Sequence, residues 1–178
     1  ADEPHLPQHG RLPRHVRAGE DHHPRVVAEV DVVRDELLAR HHRLDHRVAP
    51  GMEGHVWIAL NNGGLAQSTN SGESFSIISG ISNCGAVGFG VAAPEANYPT
   101  IYIWGTINNV RGVYRSTDEG TSWSRINTDV QQYGGPGNGQ FVQGDMNVFG
   151  RVYMSTAGRG IVYGELRNYF FNIELQLF

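Results

Sequence analysis

The sequence predicts an all-β protein, a partial β-propeller of about two to three four-stranded blades. The first observation is a repeat: an apolar strand, a short Gly/Asn turn and a second strand occur in residues 55–78, 100–126 and 151–166. The second is its period, because Ser68 and Ser116 hold equivalent positions 48 residues apart, close to the roughly 40 to 50 residues of a propeller blade. The third is that both alternating faces of these strands are apolar, as in sheets stacked face to face.

Residues 1–50 differ in composition from the rest of the chain. They contain eight of the nine His, eight of the 14 basic residues and no aromatic residue. This composition is typical of disordered segments, and also of a GC-rich coding stretch read in the wrong frame. We therefore predict that residues 1–50 are disordered or not native to the fold, helical at most, and without contacts to the blades.

Two pairs of histidines in this segment, His22–His23 and His41–His42, are the candidates for a metal site, because close imidazoles can share an ion. However, adjacent side chains point apart on a strand or a helix, and no CxxC or HExxH motif accompanies them. The sequence therefore predicts no metal site and no cofactor.

Residues 51–166 are assigned to the blades. In the first two copies of the repeat, a hairpin turn and a strand bearing an aromatic residue follow, and the intervening AVGFGVAA (86–93) fits the remaining strand of a blade. A propeller needs about four to eight blades to close, so one apolar sheet face is left for another segment or a partner to cover. The tail, residues 167–178, is expected to add an edge strand or to be non-native read-through.

The segment STDEGTSW (116–123) has the S-x-D-x-G-x-x-W spacing of an Asp-box, a hairpin turn of some propeller blades. The equivalent STNSGESF (68–75) has Asn for the Asp and Phe for the Trp. An amide can replace a carboxylate in a turn but not in general acid catalysis. We therefore predict that both boxes are structural, with their aromatic rings buried beneath the turns. The box residues are Ser116, Asp118, Gly120 and Trp123 in one copy, and Ser68, Asn70, Gly72 and Phe75 in the other.

Composition excludes several classes of partner. The net charge is −4, there is no Lys, and the Arg residues after residue 51 do not gather on one strand face, so we expect no nucleic-acid binding. No apolar run reaches about 18 residues, so we expect no membrane span. Cys84 is the single cysteine, which leaves no internal disulfide. The N-terminus lacks the apolar core of a signal peptide.

The sequence around the second box resembles glycoside hydrolase family 74, whose members degrade xyloglucan. The resemblance rests on FGVAAPEANYPTIYIWGTINNVRGVYRSTDEGTSWSRINTD, QQYGGPGNGQFVQGD and FGRVYMSTAGRGIVYGE, and it covers about residues 52–166. These residues are similar to the C-terminal end of the second propeller of the family. The resemblance implies two seven-bladed propellers that form a cleft, inverting hydrolysis of a β-1,4-glucan, and an extracellular location.

Inversion requires one carboxylic acid that protonates the leaving oxygen and one carboxylate that activates water. The resemblance assigns these roles to two Asp in surroundings similar to R-T-D-x-G-G and G-D-x-G-G-F, and neither string occurs in the chain. Asp145 matches a later GD of the family, and Asp129 lies in its IND loop. We therefore expect no catalytic residue in this chain and no hydrolysis by the chain alone.

The segment TDVQQYGGPGNG (128–139) resembles a loop of the family, with Gln131 where His is usual. The resemblance makes a β-glucan such as xyloglucan the expected partner. Four residues are the candidates for binding it: Asp129, Gln132, Tyr133 and Trp104. The two aromatic rings can stack on the apolar face of a glucose ring, or they can fill the space between blades. Arg151 and Arg159 are interpreted as donors that stabilise turns.

Two other protein classes carry Asp-boxes. A sialidase requires three converging Arg, usually including one in an early F-R-I-P-like strand, and that arrangement is absent from the sequence. A non-catalytic propeller that binds a protein or a glycan has the same boxes and stays open as the alternative. The segment GRVYMSTAGRGIVYG favours the hydrolase family, because the receptor-type propellers do not share it.

Overall fold

The computed structural model describes residues 45–136, 140–166 and 173–177, which form three four-stranded antiparallel sheets. Sheet 1 contains β1 (Asp45–Val48), β2 (Val56–Ala59), β3 (Leu65–Ser68) and β4 (Ser76–Ile77). Sheet 2 contains β5 (Ile81–Gly90), β6 (Thr100–Ile107), β7 (Val110–Ser116) and β8 (Ser124–Arg125). Sheet 3 contains β9 (Val142–Gly144), β10 (Val152–Ser155), β11 (Ile161–Leu166) and β12 (Ile173–Leu177).

Neighbouring strands in each sheet are consecutive in the chain, as in a propeller blade. A short 3-10 turn, Asp129–Gln131, lies between sheets 2 and 3. The predicted all-β class with four-stranded blades is confirmed. Within the described ranges, no helix has the length and apolar character needed to cross a membrane.

Both faces of sheet 2 are buried. Ile101 and Ile103 of β6 are fully inaccessible to solvent and pack in one core cluster with Trp57 of sheet 1. Tyr102 and Trp104 alternate with them along β6 and pack in a second cluster with residues of sheet 3. Successive side chains of one strand therefore belong to different cores, because side chains alternate between the faces of a sheet.

The first strands of sheets 2 and 3 approach each other closely. A Cβ atom at Gly88 would collide with the backbone carbonyl of Val142, and one at Gly144 would lie 2.6 Å from Cα of Gly90. None of these three glycines has a positive φ, so the requirement is for small size rather than for backbone freedom. The blades converge where these strands meet.

The boundary predicted at residue 50 is wrong by six residues. Residues 45–48 form β1, which pairs with β2, and Ala49 is buried in the first core cluster. Oδ2 of Asp45 accepts a hydrogen bond from the backbone N–H of Val87 in sheet 2 (3.0 Å). The segment DHRV lacks the apolar alternation that predicts a strand. Backbone pairing with β2 holds it in the sheet instead. Residues 1–44 lie outside the described residues.

The tail contributes an edge strand. Residues 173–177 pair with β11, with Ile173 opposite Leu166 and Leu177 opposite Val162. Strand β12 is thus the fourth strand of sheet 3 and lies at its edge. This agrees with the first of the two expectations for the tail, an added edge strand.

We predict that Gly88→Ala destabilises the protein by about 2 to 3 kcal/mol, because the added methyl group has no room beside Val142. Urea unfolding followed by tryptophan fluorescence measures the change. Gly85→Ala is the matched control, since Gly85 lies in the same strand and its Cβ would meet nothing closer than 3.4 Å. Equal stability of the two variants would contradict the close packing of the blades.

Candidate functional site

An open cavity of about 440 Å³ lies where the connection between β8 and β9 meets the turn between β10 and β11. These segments join sheet 2 to sheet 3, so the cavity lies at a junction of two blades. It is lined by Asp129, Val130, Gln132, Tyr133, Gly134, Ala157 and Arg159. Asp129, Gln132 and Tyr133, three of the four candidates for sugar binding, thus line one cavity. The fourth candidate, Trp104, does not line it.

Hydrogen bonds within the β8–β9 connection shape the cavity wall. Thr128 donates its backbone N–H (3.3 Å) and its hydroxyl (3.0 Å) to Oε1 of Gln131. Gln131 therefore uses its side-chain oxygen inside the turn. The amide of Asn127 lies beneath this turn and connects it to β7 through Val113. Sequence analysis did not single out Asn127, although a polar residue next to the buried Ile126 is a signal for a buried hydrogen-bonding role.

The carboxylate of Asp129 is exposed and paired. Its Oδ1 accepts a hydrogen bond from Nη2 of Arg125 at 2.6 Å, and Nε2 of Gln132 lies 3.5 Å away. The hydrogen bond and the charge of Arg125 lower the pKa of Asp129 from its ordinary value. An ionised carboxylate accepts hydrogen bonds but cannot act as a general acid.

Tyr133 has an unusual backbone conformation. Its φ of 47° is left-handed, and Gly134 and Gly135 follow with φ of 76° and 74°. A residue with a Cβ atom is disfavoured in this region, and such positions cluster at functional sites. The half-buried ring packs against the second core cluster and also lines the cavity.

Of the two alternatives for Trp104, stacking on a sugar or filling the space between blades, its burial favours the second. Trp104 is 8% exposed and lies in the second core cluster. The backbone of Gly135 covers its indole, since a Cβ atom at Gly135 would lie 2.6 Å from the ring. Trp104 therefore fills the space between blades beneath the backbone of Gly135.

Arg159 was interpreted as a donor that stabilises a turn, but only its backbone has this role. Its backbone N–H donates to Oγ1 of Thr156 (3.0 Å). The side chain is exposed at the cavity and has no hydrogen-bond partner within the part of the chain that the structure describes. Ala157 and the strongly exposed Val130 were also missed, because their proximity depends on how two blades pack.

Two other ionisable side chains are fully engaged in turns. Asp145 accepts from the backbone N–H groups of Asn147 (2.8 Å) and Val148 (3.1 Å). The bond from Asn147 is the main cause of the lowered pKa of Asp145, with Val148, a tyrosine hydroxyl and Arg151 also contributing. Arg151 donates to Oδ2 of Asp145 in the turn (3.4 Å) and to Oε1 of Glu165 in β11 (2.6 Å), so it also joins the turn to the neighbouring strand.

Ser116 and Asp118 close the turn between β7 and β8. Oγ of Ser116 accepts from the backbone N–H of Gly120 (2.9 Å) and donates to Oδ1 of Asp118 (2.7 Å). Ser122 donates both its backbone N–H (2.9 Å) and its hydroxyl (2.5 Å) to the same carboxylate. Both carboxylate oxygens are thus occupied by partners within the turn.

The turn between β3 and β4 has the same arrangement with an amide. Oγ of Ser68 accepts from the backbone N–H of Gly72 (2.9 Å) and donates to Oδ1 of Asn70 (2.8 Å). Ser74 donates its backbone N–H to Oδ1 of Asn70 (3.0 Å), while Nδ2 of Asn70 donates to the Ser74 hydroxyl (2.9 Å). Only the direction of this last bond differs from the turn at Asp118.

The aromatic rings of the two boxes are half-buried rather than buried as predicted. Trp123 donates its Nε1–H to the carbonyl of Gly120 (3.0 Å) and packs against the first core cluster. Phe75 lies beside Gly72. Phe75 and Trp123 directly precede β4 and β8, the last strands of their sheets, and both rings stay partly exposed to solvent.

The boxes lie at the opposite strand end from the cavity. Gln132 contacts the carbonyl of Arg111 near the start of β7 (3.4 Å), whereas Ser116 ends β7. At about 3.3 Å per residue, the seven residues of β7 separate the two ends by about 20 Å. Asp118 therefore cannot act in one site with Asp129.

The turn at Asp118 also connects two blades. Oε1 of Glu119 accepts from Nε2 of Gln67 in sheet 1 (3.1 Å) and lies 3.3 Å from Nδ1 of His55. A Cβ atom at Gly120 would lie 2.8 Å from the ring of Trp57 in sheet 1.

Among the described residues, no group of three or more His, Cys, Asp or Glu is arranged to hold a metal ion.

No family model matches the chain, but individual proteins do. A xyloglucanase of Acetivibrio thermocellus is 50% identical over 119 residues, which are 67% of this chain and 14% of that protein. A GH74 enzyme of Niastella koreensis superimposes with a TM-score of 0.65 at 60% identity over 68% of this chain and 17% of its own. The GH74 xyloglucanase of Xanthomonas campestris superimposes with a TM-score of 0.62 at 34% identity over 72% and 17% of the two chains. The chain thus spans less than a fifth of the length of these relatives.

We predict that Asp118→Asn retains most of the stability at neutral pH, because Asn70 already makes the equivalent bonds. Asp118→Ala should lose about 1 kcal/mol, since it removes the acceptor of three hydrogen bonds at an exposed turn. Urea unfolding at pH 7 measures both changes. Equal losses in the two variants would contradict the interchangeability of amide and carboxylate.

The same variants predict a pH dependence. Desolvation raises the pKa of Asp118, but the bonds from Ser122 and Ser116 together lower it below its ordinary value. A depressed pKa stabilises the fold above the unfolded value of about 3.9, and this stability is lost as the pH falls through the folded value. The advantage of the wild type over Asp118→Ala should therefore shrink below about pH 4, as measured by urea unfolding from pH 7 to pH 2.5. A constant difference would contradict this.

Proposed function

Because this chain belongs to glycoside hydrolase family 74, we propose that it forms part of the glycan-binding wall of a hydrolase that acts on xyloglucan. The observation that supports this most is the cavity between sheets 2 and 3, where an aromatic ring lies beside polar side chains. Its volume of about 440 Å³ lies within the roughly 300 to 1,000 Å³ of ligand pockets. The relatives named as xyloglucanases indicate which glycan to test.

Tyr133 is the central residue of the proposed site. The flat face of its ring matches the apolar face of a pyranose, and the exposed Val130 extends the apolar surface. The Arg159 guanidinium and the Gln132 amide supply donors, and the ionised Asp129 supplies an acceptor for sugar hydroxyls. A neutral polysaccharide needs this combination of an apolar face and dispersed hydrogen bonds.

We propose further that the chain alone does not hydrolyse the glycan. An inverting mechanism uses two carboxyl groups about 6.5 to 9.5 Å apart, one of them protonated at the working pH. Asp129 is paired with Arg125, and the two oxygens of Asp118 are occupied about 20 Å away. The two carboxyl groups of inverting hydrolysis would then come from other parts of a family member. We also propose an extracellular location, which a polymeric substrate of this kind supports.

The Asp-boxes are proposed as structural elements of the blades. The matching bonds of Asp118 and Asn70 support this role, because a neutral amide makes the same turn. Their position at the strand ends away from the cavity also supports it.

Calorimetric titration of the 178-residue chain with a xyloglucan oligosaccharide tests the binding proposal. Tyr133→Ala should weaken binding about tenfold or more, because aromatic stacking contributes about 1 kcal/mol or more beyond buried area. Tyr133→Phe keeps the ring and should bind within about threefold of the wild type. Absence of binding by the wild type would overturn the proposal and favour the non-catalytic module with a protein partner.

Release of reducing ends from xyloglucan tests the proposed lack of activity. We expect no turnover by the purified chain. Turnover that disappears in one of Asp118→Ala, Asp129→Ala or Asp145→Ala would contradict the proposal and identify the residue responsible.

A further inference from the structure

We propose that Asn127 is a positioning residue for the glycan site, holding the segment 128–133 so that Tyr133 faces the cavity. This inference rests on the proposed glycan-binding function. Asn127 is 6% exposed. Its Oδ1 accepts the backbone N–H of Val113 at 2.8 Å, and its Nδ2 donates to the carbonyls of Thr128 (3.1 Å) and Gln131 (3.3 Å).

These three bonds join a sheet to a loop. Val113 lies in the buried part of β7 and belongs to the second core cluster, whereas the two carbonyls belong to Gln131 of the 3-10 turn and to Thr128 directly before it. Among the described residues, the other hydrogen bonds of the turn are made within it or at its exposed surface, as for Arg125 with Asp129 and Gln132 with Arg111. The Asn127 amide is thus the buried link between the turn and sheet 2.

The link matters because Tyr133 follows in a disfavoured conformation. With a φ of 47°, its backbone is left-handed and its Cβ atom opposes this arrangement. Such a conformation persists only where the surroundings impose it. The carbonyl of Gln131, held by Asn127, lies two residues before Tyr133 and fixes the direction in which the chain enters that residue.

A second anchor lies after Tyr133. The backbone of Gly135 packs on the indole of Trp104. No side chain fits at residue 135, because a Cβ atom there would lie 2.6 Å from the ring. Tyr133 is therefore held between the amide of Asn127 and the indole of Trp104. A loop ordered before binding loses less conformational entropy when the glycan arrives.

Asn127→Asp separates the two functions of the amide. The carboxylate can still accept the N–H of Val113, but it cannot donate to the carbonyls of Thr128 and Gln131. We expect backbone amides 131–135 to exchange hydrogen about tenfold faster and the xyloglucan oligosaccharide to bind about tenfold more weakly. Exchange in β6 and β7 should stay as in the wild type, which distinguishes positioning from general destabilisation.

Asn83→Asp is the matched control. It makes the same chemical change in β5, where Nδ2 of Asn83 donates to Asn62 (3.0 Å), and it should alter neither loop exchange nor affinity. Gly135→Ala tests the second anchor independently of Asn127, because the methyl group must displace the loop from Trp104. It should produce the same local increase in exchange and the same loss of affinity.

Each result decides the proposal. Faster exchange confined to residues 131–135, together with weaker binding, supports it. Unchanged loop exchange in Asn127→Asp, or faster exchange throughout the sheets, overturns it. If the wild type does not bind the oligosaccharide, the proposed function fails, and the exchange of the loop in Asn127→Asp and Gly135→Ala still shows whether the two anchors hold it.

Discussion

The burial of sheet 2 on both faces is the interaction on which the rest of the structure depends. Strand β6 places Ile101 and Ile103 against sheet 1 and places Tyr102 and Trp104 against sheet 3. A sheet with two apolar faces is stable only between two covers, so the three blades stack as a unit. Close approach of β5 and β9, through Gly88, sets how far the blades converge.

Polar contacts outside the two cores fix how the blades are oriented. Asp45 of β1 accepts the backbone N–H of Val87 in sheet 2, and Glu119 contacts His55 and Gln67 of sheet 1. These contacts are directional, whereas apolar packing tolerates sliding. The turn at Asp118 has a larger role than its local hydrogen bonds indicate, because its closed form presents Glu119 to the neighbouring blade.

The two ends of the strands have different tasks. One end carries the boxes, in which serine and Asp or Asn side chains satisfy the backbone of the turn. The other end carries the cavity, where Asp129, Gln132 and Arg159 keep polar groups at the surface beside Tyr133. A hairpin sheet allows this division, since alternate connections emerge at opposite ends. The cavity loops and the hydrogen-bonded turns are therefore separated by the length of the strands.

The sequence by itself determined the local structure of the blades and their family. Short segments of the sequence contain the evidence for both. They show the strand alternation, the 48-residue spacing of Ser68 and Ser116, and Asn70 at the position of the Asp in the other box. Tertiary structure alone decided which residues meet. It placed Arg159 and Asp129 in the lining of one cavity, packed Gly135 against Trp104, and added the polar strand that begins at residue 45 to sheet 1. The physical reason is that periodicity reports which face of its own strand a residue occupies, whereas these contacts depend on how separate sheets pack and pair.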